Sequence, residues 1–332
     1  MKSLFPMTLI IALSACDSHK VQIASDHIQE EPITIVDIDE EGSSEEEHPS
    51  QNEVEYELPD LQPHFDPIPH AGAVVEESRG FWFVEGPVWT DENTLLFSDI
   101  PANKVYQLEG GEISIWKNRS QNSNGLTLDL NGNVIAALHG TRSISKVENG
   151  ESTIIIDQFE GKKFNSPNDL VYHTTGDLFF TDPPYGIDEY QRELQHNHVF
   201  QYTSSGEIKS IWAGESWARP NGIALSLDEQ TLYVSYTNEA VVREFSIDER
   251  GNVGEGEIFA HVSSVADGMT TDPFGNLYVT TVAGIEVLNP EGELWGTLSI
   301  PNQPSNCTFG GVDQNILYIT AVDAIYSIPF SW

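Results

Sequence analysis

The chain has 332 residues, enough for one large domain or two ordinary ones. Its apolar content of 39% and aromatic content of 10% are sufficient for a sizeable hydrophobic core. The formal net charge of −37 argues against nucleic acid or an anionic lipid surface as a partner, because like charges repel.

Residues 1–15 are predicted to be a lipoprotein signal peptide that ends before Cys16. The stretch MKSLFPMTLIIALSAC has one lysine and an apolar run that is too short to span a membrane. Its last four residues, LSAC, resemble the bacterial lipobox; an ordinary signal peptide that contains a cysteine is the alternative. We therefore expect lipidation of Cys16 and an exported protein anchored in the bacterial cell envelope, facing the periplasm in a Gram-negative cell.

Residues 16–69 are predicted to form an acidic disordered tether. Between Asp17 and Asp66 the sequence has sixteen acidic residues and only one basic residue, Lys20. Such a segment has little to bury and remains solvated. An acidic metal-binding tail is the alternative, but no ligand spacing repeats there. The tether would hold the following domain away from the membrane.

Only one cysteine, Cys307, follows Cys16, so the mature domain is expected to lack an intrachain disulfide. A nucleophilic role for Cys307 would require a nearby histidine, and none is evident in the sequence. A buried structural thiol is the favoured interpretation.

A polar residue precedes an apolar run at six places, and a turn cluster and a second apolar run follow each time. The intervals between these polar markers are 39, 44, 53, 46 and 39 residues. Each unit therefore predicts a β-hairpin. The six markers are Glu85, Asn124, Asn168, Asn221, Asp267 and Asn306.

Six units rich in short strands and poor in helical signals predict an all-β fold, a six-bladed β-propeller over residues 70–332. The segment AGAVVEES near residue 75 is expected to supply a strand that closes the ring against the last blade. A monomer is expected.

Propeller blades place their first strands along a central channel, so the six markers should converge there. All six are carboxylate or amide residues, which suits a hard divalent cation, with calcium expected over zinc. Glu85 and Asp267 would balance its charge. The alternative is that Asn and Asp merely cap the strands at the blade entries.

The motifs EGPVW, SNGLTLD, ALHG, GKKFNSPNDLV, LFFTDPPYG, RPNGIALS, ADGMTTD and NCTFGG, in this order, resemble bacterial gluconolactonases of the SMP-30/gluconolactonase/luciferin-regenerating group. The resemblance covers the chain from about Phe81 to Ile328. It implies a six-bladed propeller with an axial divalent cation.

The resemblance also implies roles for individual residues. Glu85, Asn221 and Asp267 match the family's metal ligands, and Asn168 matches a position that contacts the metal, its water or the substrate. Asp267 is in addition the candidate catalytic acid or base. Animal members have an arginine where this chain has Ser166, so the identity of the sugar does not transfer.

Further residues are expected to contact a substrate. Asn124 and Asn168 lie among the markers, and His139, Asp182 and Tyr185 follow second-strand runs. His139 could instead pack at the rim, and Asp182 could merely form a turn. Strand alternation is expected to turn the Asp169 side chain away from the axis.

Three tryptophans and one arginine also stand out in the sequence. Trp82, Trp89 and Trp217 are expected to pack between blades, with an aromatic platform for a sugar as the alternative at Trp217. Arg142 is expected to form a surface salt bridge, with recognition of a carboxylate or phosphate as the alternative.

These features predict a carboxylic-ester hydrolase in which a cation polarises the carbonyl of a sugar lactone and activates water. The sequence has no GxSxG nucleophile elbow. Two alternatives stay open: hydrolysis of another ester or phosphoester on the same cation, and a non-catalytic ligand-binding propeller of the cell envelope.

Overall fold

The computed structural model describes residues 65–90, 92–148 and 150–332. The predicted signal peptide, Cys16 and the predicted tether as far as residue 64 lie outside these residues. The described residues form twenty-six β-strands and two short 3-10 helices, Ile68–His70 and Glu189–Gln191. None of their helices is long and apolar enough to cross a membrane.

Six four-stranded antiparallel sheets form the blades, in agreement with the prediction. Blades 1 to 3 contain, from the inner strand outward, β2 Val84–Trp89, β3 Leu95–Asp99, β4 Lys104–Glu109 and β5 Glu112–Asn118; β6 Ser123–Leu128, β7 Val134–Leu138, β8 Ser143–Glu148 and β9 Glu151–Ile156; and β12 Leu170–Tyr172, β13 Leu178–Asp182, β14 Asn197–Tyr202 and β15 Ile208–Gly214. A separate hairpin joins β10 Gln158–Phe159 to β11 Lys162–Lys163.

Blades 4 to 6 repeat the pattern. They contain β16 Pro220–Leu225, β17 Thr231–Tyr236, β18 Val241–Ser246 and β19 Glu257–His261; β20 Ala266–Thr271, β21 Leu277–Thr281, β22 Gly284–Leu288 and β23 Leu294–Leu298; and β24 Asn306–Gly310, β25 Ile316–Ala321, β26 Ala324–Pro329 and β1 Val75–Arg79. Each inner strand contacts the inner strands of both neighbouring blades, so the six blades close into a ring.

The ring is closed by strands from the two ends of the domain. Strand β1 pairs antiparallel with β26 and completes blade 6, which confirms the predicted closing strand. The Ser305 hydroxyl donates to the Val84 carbonyl (2.7 Å), which ties blade 6 to blade 1. Residues 65–69, predicted to belong to the tether, also pack on the propeller: Phe65 stacks on Phe274 at 4.2 Å between ring centroids.

The hydrophobic core lies between neighbouring blades. One cluster joins Phe179 and Val199 of blade 3 to Ile223 and Leu232 of blade 4, and equivalent clusters join other neighbours. Full burial of a side chain of this size contributes about 1.5–3 kcal/mol. Cys307 is buried, as predicted.

The three tryptophans considered in the sequence behave differently. Trp89 stacks on Tyr318 of blade 6 at 5.2 Å, as expected for packing between blades. The same expectation was wrong for Trp82 and Trp217, whose side chains are 71% and 59% exposed. Both precede the inner strand of their blade, so they lie in connecting loops and not in a sheet.

A glycine follows the marker in four blades and allows the inner strands to touch. A Cβ atom on Gly86 would lie 2.1 Å from the Asn124 carbonyl oxygen, and one on Gly268 would lie 2.0 Å from the Asn306 side chain. Each of these four inner strands also has a register shift at the marker. Such a bulge interrupts the alternation of a strand and can re-aim a side chain.

Blade 3 is different because its inner strand begins only at Leu170. The preceding loop is fixed by Asp182, which accepts a hydrogen bond from the Asn165 backbone N–H (2.7 Å). Arg142 of blade 2 donates to the carbonyl of Phe164 (2.7 Å) and forms the predicted salt bridge with Glu193 (3.4 Å). The loop that presents Asn168 is thus held from two sides.

Asp182 is expected to make the stability of the domain depend on pH. Burial raises the pKa of this carboxyl group from 3.8 to about 7, and the N–H groups of Asn165 and Ser166 lower it only in part. Because the pKa of Asp182 is higher in the folded state than in the unfolded state, its protonated side chain contributes fully to the stability of the fold at low pH. This contribution is lost as the pH rises towards 7. Relative to Asp182→Asn, which stays neutral, the wild type should lose up to roughly 1.4 kcal/mol per pH unit over this range.

Urea unfolding of both proteins at about pH 5 and about pH 7 measures this difference. The free energy of unfolding of the Asn variant minus that of the wild type should increase between these two pH values. A difference that stays constant, or decreases, would contradict the assignment.

Candidate functional site

A cavity of about 360 Å³ opens at one end of the central channel. Five of the six markers line it, together with the predicted residues His139 and Tyr185. The complete lining is Phe83, Glu85, Ile100, Pro101, Asn124, His139, Asn168, Tyr185, Asn221, Thr237, Val265 and Asp267.

Three asparagines form a hydrogen-bonded chain across the floor of the cavity. Asn124 Nδ2 donates to Asn168 Oδ1 (2.7 Å), and Asn168 Nδ2 donates to Asn221 Oδ1 (2.7 Å). Asn221 Nδ2 then donates to Thr237 Oγ1 (2.9 Å). Each amide oxygen that accepts one of these bonds retains a second lone pair. These hydrogen bonds therefore fix the three amide groups and leave oxygen atoms able to bind a cation or a substrate hydroxyl.

Glu85 and Asp267 are the acidic residues of the lining. Burial raises the pKa of Glu85 well above its usual range, and the neighbouring Asp267 and Asp169 raise it further. Burial also raises the pKa of Asp267 to about 7, with Asp169 as the second cause. No Lys or Arg of the described residues lines the cavity. Buried carboxylates that lack a basic partner are stabilised when a cation joins them.

The donor set fits a hard divalent cation. Calcium takes six to eight oxygen ligands from carboxylates, amides, carbonyls and water, and Glu85, Asp267, Asn168 and Asn221 offer such oxygens at one cavity floor. Within the described ranges, no three His, Cys, Asp or Glu side chains form a candidate metal-binding group.

The sixth marker, Asn306, does not line this cavity. It lies at a second cavity, of about 350 Å³, which the later residues of the inner strands line. Asn306 Nδ2 donates to Asp169 Oδ2 (3.2 Å), although the two residues belong to opposite blades. Blade 6 has no register shift at Asn306, so the side chain is not re-aimed as in blades 1, 2, 4 and 5.

The prediction that Asp169 turns away from the axis was wrong. Its contact with Asn306 of the opposite blade requires a side chain that reaches across the channel. Burial raises the pKa of Asp169 to about 6. The alternation rule fails because Asp169 precedes the first strand residue, Leu170, and alternation holds only within a strand.

His139 and Tyr185 lie where a substrate could contact them. His139 Nε2 accepts a hydrogen bond from Asn124 Nδ2 (3.3 Å), and burial lowers the pKa of the imidazole to about 4, so the ring is neutral near pH 7. The Tyr185 hydroxyl donates to Thr237 Oγ1 (2.8 Å), and burial raises the pKa of this phenol to about 12.

Asp182 does not line the cavity, contrary to its prediction as a substrate contact. Its side chain is fully buried behind the loop that carries Asn168. It can therefore position that loop but cannot reach a molecule in the cavity.

Thr237 is a site residue that sequence reasoning missed. Its hydroxyl accepts from Asn221 and Tyr185 and donates to the Ala266 carbonyl (3.0 Å), next to Asp267. A signal was present, because Thr237 follows the second strand of blade 4 as His139 follows that of blade 2. The apolar wall of Phe83, Ile100, Pro101 and Val265 was also missed, since single apolar residues in loops carry no pattern.

Residues 83–323 match the family described as the SMP-30/Gluconolactonase/LRE-like region. A gluconolactonase of Zymomonas mobilis subsp. mobilis is 37% identical in an alignment of length 271, and the match covers 71% of this chain and 75% of that protein.

Two solved structures show the same architecture. A gluconolactonase of Xanthomonas campestris, important in glucose secondary metabolic pathways, is 30% identical with a TM-score of 0.73, over 79% of this chain and 90% of that one. A calcium-binding protein, regucalcin, of Agrobacterium tumefaciens is 17% identical with a TM-score of 0.67, over 79% of this chain and 94% of that one, and it shares the fold. The chain belongs to the SMP-30/gluconolactonase/LRE-like family of β-propellers.

Proposed function

We propose that this protein is a lactonase that hydrolyses a sugar lactone in the cavity lined by Glu85 and Asp267, with the help of a divalent cation, calcium. Its membership of the gluconolactonase family supports the reaction. The observation that carries the proposal is the pair of buried carboxylates at the cavity floor. Fixed amides surround them, and no Lys or Arg among the described residues lines the cavity beside them.

A bound calcium ion would supply Lewis-acid polarisation of the lactone carbonyl and would favour ionisation of a coordinated water. Glu85, Asn168, Asn221 and Asp267 are the residues that would hold it. Glu85 is fixed for this role because its Oε2 accepts the Gly86 backbone N–H (2.9 Å).

Asp267 is the candidate general base. It is a carboxylate at the cavity floor, and its neighbour Asn221 is held in place by the asparagine chain. Ring opening of a lactone requires a proton to be taken from the attacking water and one to be delivered to the leaving oxygen. Asp267 can accept the first proton and then return it, so no serine nucleophile is required.

The remaining cavity residues would bind and enclose the substrate. Asn124, neutral His139 and the Tyr185 hydroxyl offer hydrogen bonds to sugar hydroxyls, while Phe83 and Val265 form an apolar wall. An apolar wall beside a polar floor orients a ring and excludes bulk water. Asn168 thus serves both the cation and the substrate side of the site.

Removal of either acidic ligand should abolish high-affinity calcium binding. In titration calorimetry of the protein, Glu85→Gln and Asp267→Asn should each weaken binding by roughly a hundredfold or more, because each removes a charged ligand. Glu151→Gln, which changes an exposed acid on the outer strand of blade 2, is the matched control and should bind as the wild type does. Wild-type affinity in both cavity variants would refute the assigned ligands.

Hydrolysis of D-glucono-1,5-lactone, followed by acid release in a pH-stat, tests the reaction itself. A chelator should stop turnover and added calcium should restore it. Asp267→Asn should lower kcat by roughly a hundredfold or more, the range for loss of a general base. Turnover that a chelator leaves unchanged would exclude the cation mechanism, and turnover of an ester or phosphoester alone would favour that substrate class.

We also propose that Cys16 is lipidated and anchors the protein in the cell envelope. The support is the LSAC sequence, and the residues concerned lie outside the described part of the chain. Cys16→Ser should move the protein from the membrane fraction to the soluble fraction and should prevent labelling by a radioactive fatty acid. Equal labelling of both proteins would contradict the proposal.

A further inference from the structure

Arg219 is a half-buried cation beside the cavity that forms no ion pair with any described residue. Its Nε atom is buried and has no hydrogen-bond partner in the described part of the chain. The guanidinium lies over the ring of Tyr185, 5.3 Å from Cζ to the ring centroid. A guanidinium that is partly withdrawn from water without an anionic partner is under-satisfied.

Arg243, whose buried Nε likewise has no hydrogen-bond partner among the described residues, shows the same arrangement with an anionic partner. Its guanidinium also lies 5.3 Å from a tyrosine ring, that of Tyr236. It is in addition paired with Glu239 at 2.9 Å. Two arginines in one blade thus share the stacking geometry, and only Arg243 has a carboxylate partner within the described chain.

The surroundings of Arg219 connect it directly to the cavity. Its carbonyl oxygen accepts the backbone N–H of Thr237 (3.0 Å), a residue that lines the cavity. Its stacking partner Tyr185 places its hydroxyl 2.8 Å from Thr237 Oγ1, also in the lining. Arg219 therefore adjoins the part of the cavity wall that Tyr185 and Thr237 form.

We propose that Arg219 is a specificity-determining residue that binds an anionic oxygen group, a carboxylate or a phosphate, on the part of the lactone away from its reacting carbonyl. Arginine binds both groups through charge-assisted, often paired hydrogen bonds. The inference rests on the proposed lactonase function and names its substrate class: lactones that carry a negative charge.

Kinetics with three probes tests the proposal: neutral D-glucono-1,5-lactone, D-glucaro-1,4-lactone with its carboxylate, and 6-phospho-D-glucono-1,5-lactone. Arg219→Gln should lower kcat/KM for a charged lactone about tenfold or more, mainly through KM, because it removes hydrogen bonds to a charged group. The neutral lactone should be affected much less. Arg219→Lys should restore part of the preference, and the control Arg243→Gln should leave the ratio of charged to neutral substrate unchanged.

The outcomes distinguish recognition of a carboxylate from recognition of a phosphate. They also distinguish failure of the Arg219 proposal from failure of the lactonase proposal. The charged lactone whose kcat/KM falls identifies carboxylate or phosphate as the group recognised. An equal loss for all three lactones in Arg219→Gln would mean a structural role and would overturn the proposal, as would no loss at all. If the wild type hydrolyses none of them, the lactonase function fails, and calorimetric binding of D-glucarate to wild type and Arg219→Gln then decides the role of Arg219.

Discussion

The close approach of neighbouring inner strands at the channel is the constraint on which the rest of the structure depends. In four blades the residue after the marker is glycine, and a side chain there would collide with the next blade. The Gly125 N–H donates to the Asn168 carbonyl (2.8 Å), so the same contact is also a hydrogen bond between blades. Because the inner strands are in contact at these glycines, the marker side chains next to the glycines lie close together at the channel.

This crowding produces the electrostatic character of the site. Glu85, Asp169 and Asp267 come from three different blades. In addition to the effect of burial, Asp267 and Asp169 raise the pKa of Glu85, and Asp169 raises the pKa of Asp267. Repulsion between these carboxylates destabilises the folded state, and a cation bound between them would offset it. Tight closure of the ring thus brings acidic groups together in a way that favours binding of a cation at the axis. This links the stability of the fold to the proposed chemistry.

The fold could be predicted because it repeats. Six similar units, each with a turn cluster between two apolar runs, specify six hairpins. The closing strand was predicted from the segment AGAVVEES near residue 75. Five of the six markers reached one cavity. Asn306 did not reach it because blade 6 lacks the glycine bulge of blades 1, 2, 4 and 5. Asp169 did not follow strand alternation because it precedes the first strand residue of blade 3.

The sequence by itself determined the blade number, the ring of oxygen donors and the family, since all three are encoded in local patterns that recur along the chain. Only the tertiary structure decided which side chains meet. The contact of Asp169 with Asn306, the burial of Asp182 behind a loop and the position of Arg219 over the Tyr185 ring each join residues from different strands or loops. Such contacts depend on the curvature and closure of the ring, and these cannot be predicted from the local spacing of residues.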